Sequence, residues 1–391
     1  MRPILLFLSA LFLPLLTSAG AQSVAPPRPV AIEGGDDRMF EILKVEDMAE
    51  RERQMKELCG RHANACNFLA LGYENGTYGA KRPDDALPMY RKACEGGIPS
   101  GCTNLAGRLD TSSKPADLVE ARTLFRSACE TYDATYCQQY GVMLANGAGG
   151  PQDDGAARIA YGHACKAGSV SGCFNLGELA RLGIGGAADD ALARSAFAAA
   201  CEGGSGAGCN RYAYRLRMGV GGDKDLAAAW KAYASACDSN VTESCFRLGQ
   251  MIEADEAPGH TLAEARGFYG RACDARDEDA CLSLGKMMRT GVGGAVDMAA
   301  TRGVYAQACA IDAIPGCFNL GLMLQSGLGG AADPAAARTH YASACNAGDG
   351  RACGNLAAML TKGEGGPVDT ARAEKILEQG CKADAELPWC G

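Results

Sequence analysis

The chain is poor in aromatic residues and in histidine. Trp, Tyr and Phe make up 6% of its 391 residues, with only two Trp, and there are four His. Basic charge is also short. Lys and Arg number 38 against 46 Asp and Glu, a net charge of -8 and a pI near 5.2. That balance excludes a nucleic-acid-coating surface and a polybasic membrane-surface protein. After Leu16 no run reaches the ~18 apolar residues that a membrane span needs. Disorder is excluded from the other side, because 47% of the residues are apolar.

Two residue types are abundant instead: 52 Gly and 20 Cys. The cysteines form ten close pairs whose first members are spaced 35, 35 and then 36 residues throughout. A fixed period of that length marks a repeat array, which overrides the two or three globular domains that length alone suggests.

The N-terminus reads as a targeting segment. Arg2 precedes an apolar stretch from Ile4 to Leu16, and Ala19-Gly20-Ala21 is a small-x-small cleavage site. Residues 1–21 are therefore expected to be a signal peptide, and 22–36, with Pro26, Pro27, Pro29, Gly34 and Gly35, a flexible linker. Residues 37–391 are expected to form one solenoid. An exported chain with an even cysteine count implies disulfides. Zinc would ask for C-x2-C spacings and more His than are present. Staggered pairing across repeats strands Cys59 and Cys390 at opposite ends, beyond bridging distance. Local pairing satisfies all twenty: Cys59–Cys66, Cys94–Cys102, Cys129–Cys137, Cys165–Cys173, Cys201–Cys209, Cys237–Cys245, Cys273–Cys281, Cys309–Cys317, Cys345–Cys353 and Cys381–Cys390.

Each pair joins two helices. Twelve residues before the first cysteine stand Asp47, Asp117, Asp153, Asp189, Asp225, Thr261, Asp297, Asp333 and Asp369, with Arg82 as the exception. Asp or Thr ahead of an apolar-periodic run is an N-cap. Ala eight residues before the cysteine and Tyr or Phe four before it share a face with the cysteine, which predicts a three-turn helix B. Helix A starts near the second cysteine. Its fourth residue after that cysteine is only ever Gly or Ala, which predicts close approach by a neighbour. Helix A stops at Gly-rich loops such as Gly183-Ile184-Gly185-Gly186, whose glycines supply a left-handed C-cap. These are not phosphate loops, since no Lys-Ser/Thr follows and no strand precedes. The fold class is all-α, an α/α superhelical solenoid of about nine to ten helix pairs.

The run G-C-F-N-L-G (Gly172 to Gly177 and Gly316 to Gly321), the G-x-G-G loop and the A-C ending of helix B resemble the Sel-one-like repeat, a relative of the tetratricopeptide repeat. The C-x7-C pairs are similar to its disulfide-stapled subclass, the Helicobacter cysteine-rich protein family. The resemblance runs from about residue 47 to 390. It implies a scaffold, periplasmic or secreted, that binds a protein, peptide or peptidoglycan-derived ligand on its concave face. It also implies two alternatives: a weak penicillin-binding or β-lactamase-type hydrolase, as members are often labelled, and an envelope-complex maturation factor. The loop Asp255-Glu256-Ala257-Pro258-Gly259 departs from G-x-G-G, and Asp110 to Pro115 is irregular too.

Catalytic signals are thin. A serine β-lactamase needs S-x-x-K, S-D-N and K-T-G on separate walls of one pocket. The one S-x-x-K here is Ser283-Leu284-Gly285-Lys286, and Arg289-Thr290-Gly291 lies on the same helix and its loop. Ser283 and Lys286 are weak candidates at most, and no cofactor or metal is expected. His62, His163, His260 and His340 occupy different repeat positions and are expected on the surface. For ligand binding the candidates are Asn104, Asn175, Asn319 and Asn355, two residues after the second cysteine, with Arg211 and Arg215 from a basic stretch that also holds Arg181, Arg217, Lys286 and Arg289. An amide matches a peptide backbone or a carboxylate, or it fixes repeat stacking. Both readings stay open at this point. The expected molecule is a monomer with no nucleic-acid partner and no membrane span after cleavage.

Overall fold

The computed structural model describes residues 37–131, 133–383 and 389–390. The expected signal peptide and linker lie outside them. The described residues form twenty α-helices, one short 3-10 turn and no strand. They divide into two compact units, with the boundary between Leu105 and Ala106.

The first unit holds α1 (Asp37–Leu43), α2 (Met48–Cys59), α3 (Ala63–Asn75), α4 (Pro83–Glu95) and the start of α5 (Pro99–Asp110). The second continues through α6 (Pro115–Thr131), α7 (Cys137–Asn146), α8 (Asp154–Lys166), α9 (Val170–Leu182), α10 (Asp190–Glu202), α11 (Gly206–Met218) and α12 (Leu226–Asp238). It ends with α13 (Thr242–Glu253), α14 (Leu262–Asp274), α15 (Glu278–Thr290), α16 (Met298–Ala310), α17 (Ile314–Ser326), α18 (Pro334–Asn346), α19 (Gly350–Lys362) and α20 (Thr370–Ala383). From α2 onward, even-numbered helices are B and odd-numbered ones A. Within the second unit each helix packs on the next, which is a solenoid.

The helix starts follow the side-chain oxygens. Asp153, Asp189, Asp225, Asp297 and Asp333 each accept a backbone N–H three residues on, at 2.9 Å. Thr261 forms a capping box with Glu264. Asp117 differs from expectation. Pro115 starts α6 early, which places Asp117 in the first turn, where Ser112 donates to it at 2.6 Å. A helices carry further caps that the periodicity did not single out: Ser169, Ser205, Asp277 and Asp349, each four residues before the second cysteine.

The core is a stack of rings on glycines. A Cβ placed on Gly177 would lie 2.7 Å from the Phe197 ring, and Gly141, Gly249, Gly285 and Gly321 meet Tyr161, Tyr269, Tyr305 and Tyr341 at 2.5–2.7 Å. Gly inside a helix costs about 1 kcal/mol against Ala. Burying an aromatic ring contributes roughly 2–3 kcal/mol, so the exchange favours glycine. In the loops, Gly183 takes φ 67° to cap α9, and a Cβ on Gly185 would lie 2.1 Å from the Asp154 carbonyl oxygen. That second contact sets the spacing between one A–B loop and the preceding B helix.

Nine disulfides tie the end of one B helix to the start of the next A helix, a tenth ties the end of α20 to Cys390, and among the described residues no cysteine is free. Eight span eight residues. Cys59–Cys66 spans seven and Cys381–Cys390 nine. Such a set fits an oxidising compartment. Among the described residues no helix is long and apolar enough to cross a membrane.

Candidate functional site

A helices of the second unit share an outward row. The residues two, five and nine positions after the second cysteine lie on one side of each helix. On α9 and α11 these are Asn175, Glu178 and Leu182, then Arg211, Tyr214 and Met218. On α17 the fifth is Leu322. Leu182, Tyr214, Met218 and Leu322 are 53%, 48%, 58% and 38% exposed.

Charge concentrates on α9 and α11. Glu178 accepts from Arg181 at 2.6 Å and from Arg211 at 3.1 Å. These pairs lie near the surface, and each contributes about 0–1 kcal/mol. Arg215 departs from the expected basic surface stretch, because it is buried, 3% exposed. Its guanidinium lies 4.8 Å from the centre of the Phe197 ring. The nearest carboxylate, Asp190, is 3.8 Å away, too far for a hydrogen bond. Burial holds its pKa below the usual arginine value. Arg217 is engaged elsewhere, with Glu256 at 2.6 Å. On α13, Glu243 accepts from Asn210 at 2.9 Å and from Arg247 at 3.1 Å. Burial alone would raise the Glu243 pKa, but these donors outweigh it and the pKa is lowered.

The asparagines are half-buried. Asn175 and Asn355 hydrogen-bond to the hydroxyls of Tyr161 and Tyr341, whose pKa values burial pushes up to about 12. Asn104 donates to Asn67 at 2.9 Å. Ser283, Lys286 and Arg289 all lie on α15, with Lys286 and Arg289 exposed. The histidines are less uniform than expected. His163 is exposed. His260 stacks on Trp230, with ring centroids 3.9 Å apart. His340 is half-buried, its Nδ1 3.5 Å from the Cys309 sulfur, and burial lowers its pKa. Among the described residues no group of three or more His, Cys, Asp or Glu is placed to hold a metal ion.

A separate apolar groove of about 760 Å³ runs between α8 and α10, along Ile159, Leu176, Leu192 and Ala196. It exists because Gly162 faces open space and Ala196 stands where α14 carries Phe268.

Sequence reasoning misses one feature of the array. Arg122, Arg158, Arg194, Arg266, Arg302 and Arg338, each seven residues before a first cysteine, donate to a loop carbonyl 29 residues further on at 2.8–3.2 Å. The signal lies in the register of the arginines. Trp230 occupies the same position ahead of the irregular 255–259 loop.

Among curated proteins none matches the chain significantly. Similar solved structures do exist. A protective antigen of uropathogenic Escherichia coli strains, which displays an SLR fold, is 21% identical with a TM-score of 0.72, over 88% of this chain and 75% of that one. A Sel1 repeat protein from Oxalobacter formigenes is 24% identical with a TM-score of 0.43, over 46% of this chain and 74% of that one. Cysteine-rich protein B of Helicobacter pylori is 26% identical with a TM-score of 0.28, over 34% of this chain and 96% of that one. The Sel1 repeat model matches residues 63–98, 99–130, 135–169, 170–205, 206–241, 314–349 and 350–384, more than half of the chain. With its paired helices and its ring-on-glycine core, the chain belongs to the Sel1 repeat family.

Proposed function

We propose that the protein is an exported scaffold, periplasmic or secreted, that binds a protein or peptide partner along the A-helix row of its second unit. The observation that carries this reading is the exposure of Tyr214 and Leu322 at the fifth position after the second cysteine and of Leu182 and Met218 at the ninth, on the same side of their helices. Single exposed apolar side chains are ordinary. Four on one side of the A helices α9, α11 and α17, with Arg211 and Glu178 among them, form an amphipathic surface of the kind partners cover. Tyr214 and Met218 supply contact area, one rigid and one adaptable. The ten disulfides support export, because a reducing compartment would not preserve them.

The test is site-specific photocrosslinking in the oxidised chain, with the crosslinker at Tyr214 and, as a control, at Ile159 on the B-helix side. The expected result is a discrete adduct at 214 that Met218→Glu abolishes and that Ile159 does not form. Identical adducts at both positions, or none at 214, overturn the reading. Saturable hydrolysis of a chromogenic β-lactam in the absence of any adduct would replace it with the hydrolase.

A further inference from the structure

In the second unit, the sixth residue after each second cysteine is Met143, Leu179, Arg215, Met251, Met287, Met323 and Met359. The five methionines are buried, at 2% exposure or less. Arg215 is buried almost as deeply, at 3%. The chain thus places a permanent charge where the six sister repeats named above place an apolar side chain; the other arginine at this position is Arg108 on α5. A buried guanidinium is costly unless its donors are met. Here they are not. Arg215 Nε has no hydrogen-bond partner among the described residues, and the same holds for the buried Nε of Arg181 on the neighbouring A helix. Asp190 at 3.8 Å gives Arg215 charge compensation without a hydrogen bond. A local rule broken without full compensation points to a functional or strained position.

The charges set the class of ligand. Arg181 and Arg211 act on Arg215 through space, with Glu178 and Asp190 as the carboxylates among them, and Glu178 pairs with both Arg181 and Arg211. Three positive charges against two negative leave one in excess. The geometry points to an anion site at α9 and α11 that takes a monoanionic carboxylate, with Arg215 as its buried donor and Arg181 and Arg211 at its edge. A planar carboxylate matches the guanidinium fork. A phosphate dianion would meet Glu178 and Asp190 with charge to spare. Tyr214 and Met218 adjoin the site on α11, so the carboxylate is that of an acidic side chain or C-terminus in the partner. For that occupant the inference rests on the binding reading above.

The test does not use the partner. The oxidised chain is titrated with sodium acetate against sodium chloride at constant ionic strength, and the arginine Nε–H resonances are followed by NMR. Arg215→Met installs the residue of five sister repeats, so the fold is kept, and it identifies the Arg215 resonance. The expected result is a saturable shift of that resonance and of one further Nε–H in the wild type. In Arg215→Met the remaining response should be weakened at least tenfold. A linear response, or an equal one in both proteins, overturns the site. Inorganic phosphate acting at a tenfold lower concentration than acetate overturns the carboxylate assignment. Loss of the acetate response with the Tyr214 adduct intact sinks the anion site alone, and the reverse result sinks the partner reading alone.

Discussion

The Arg194 guanidinium on α10 donates to the carbonyl of Asp223, 29 residues ahead, at 2.8 Å. The same bond joins a B helix to the next A–B loop six times, so it is a part of the repeat. It explains the last glycine of the G-x-G-G loop. A Cβ on Gly222 would lie 2.7 Å from the Arg194 guanidinium. Arg194→Ala should therefore cost about 1–2 kcal/mol, the value of a charge-assisted hydrogen bond with partly exposed partners. Urea unfolding checks it. Arg194→Lys should recover little, since an ammonium lacks the planar fork.

Two glycine substitutions should have opposite signs. Gly177→Ala pushes a methyl against the Phe197 ring at 2.7 Å, and overpacking a buried ring costs about 1–3 kcal/mol. Gly303→Ala lies in the exposed interior of α16 with no atom within 4 Å of the new Cβ. It should stabilise by about 0.5–1 kcal/mol through helix propensity and a less free unfolded chain. Thermal melts of the two variants give the signs. A stabilised Gly177→Ala would refute the ring-on-glycine account.

How much of this is legible follows from what a period can encode. The N-caps, the ring positions and the small residue under them recur within one helix or one repeat, and spacing alone exposes them. The partner of Gly177 is Phe197, twenty residues away, so the sequence shows that space is needed without showing for what. The arginine bond spans 29 residues to a backbone carbonyl, which has no sequence signature. Arg215 is the instructive case. Its residue type suggests a basic surface stretch, and only the register of Met251 and Met287 marks that position as buried. Asn175 and Asn355 stay open in the sequence between ligand and stacking, and their bonds to tyrosine hydroxyls exist only in three dimensions.

Removing the central Cys237–Cys245 staple by a double Ala substitution should cost about 2.5 kcal/mol, the chain-entropy value for so short a loop. The bond joins α12 to α13 in the middle of the second unit, across the largest described core cluster. The loss should therefore appear as a cooperative shift of the whole transition, and not as fraying. A circular-dichroism melt in urea reads it.

His340 gives a pH dependence. Burial lowers its pKa from the ordinary 6.5, with Asp333 opposing more weakly. The unfolded chain then takes up the proton first as pH falls. Stability from this group is present in full above about 7 and declines as pH falls through 6.5, levelling off once the folded-state pKa is passed. His340→Val, which copies Val304 from the same position of α16, should flatten the stability profile as pH falls below about 7. An unchanged slope would mean that other groups carry it.

Trp230 and its loop should behave as one unit. Trp230 replaces the array arginine, and the loop it faces has lost its G-x-G-G. His260 fills the space by stacking on the indole at 3.9 Å, Phe268 meets it edge-on at 5.6 Å, and Arg217 holds Glu256 at 2.6 Å. Trp230→Arg alone should therefore fail to restore the array. It removes the stacked ring, at a cost of about 2 kcal/mol, and offers a guanidinium to a loop that lacks the G-x-G-G turn its sister arginines bind. Rebuilding Asp255–Gly259 as a G-x-G-G turn without changing Trp230 should cost a similar amount, because the indole then faces a loop shaped for a guanidinium. The two changes together should recover most of both losses. In a double-mutant cycle the coupling would be on the order of 2 kcal/mol, well above the few tenths expected of independent sites. Additive losses would show that the irregular loop stands on Arg217 and Glu256 alone, and that the tryptophan merely neighbours it.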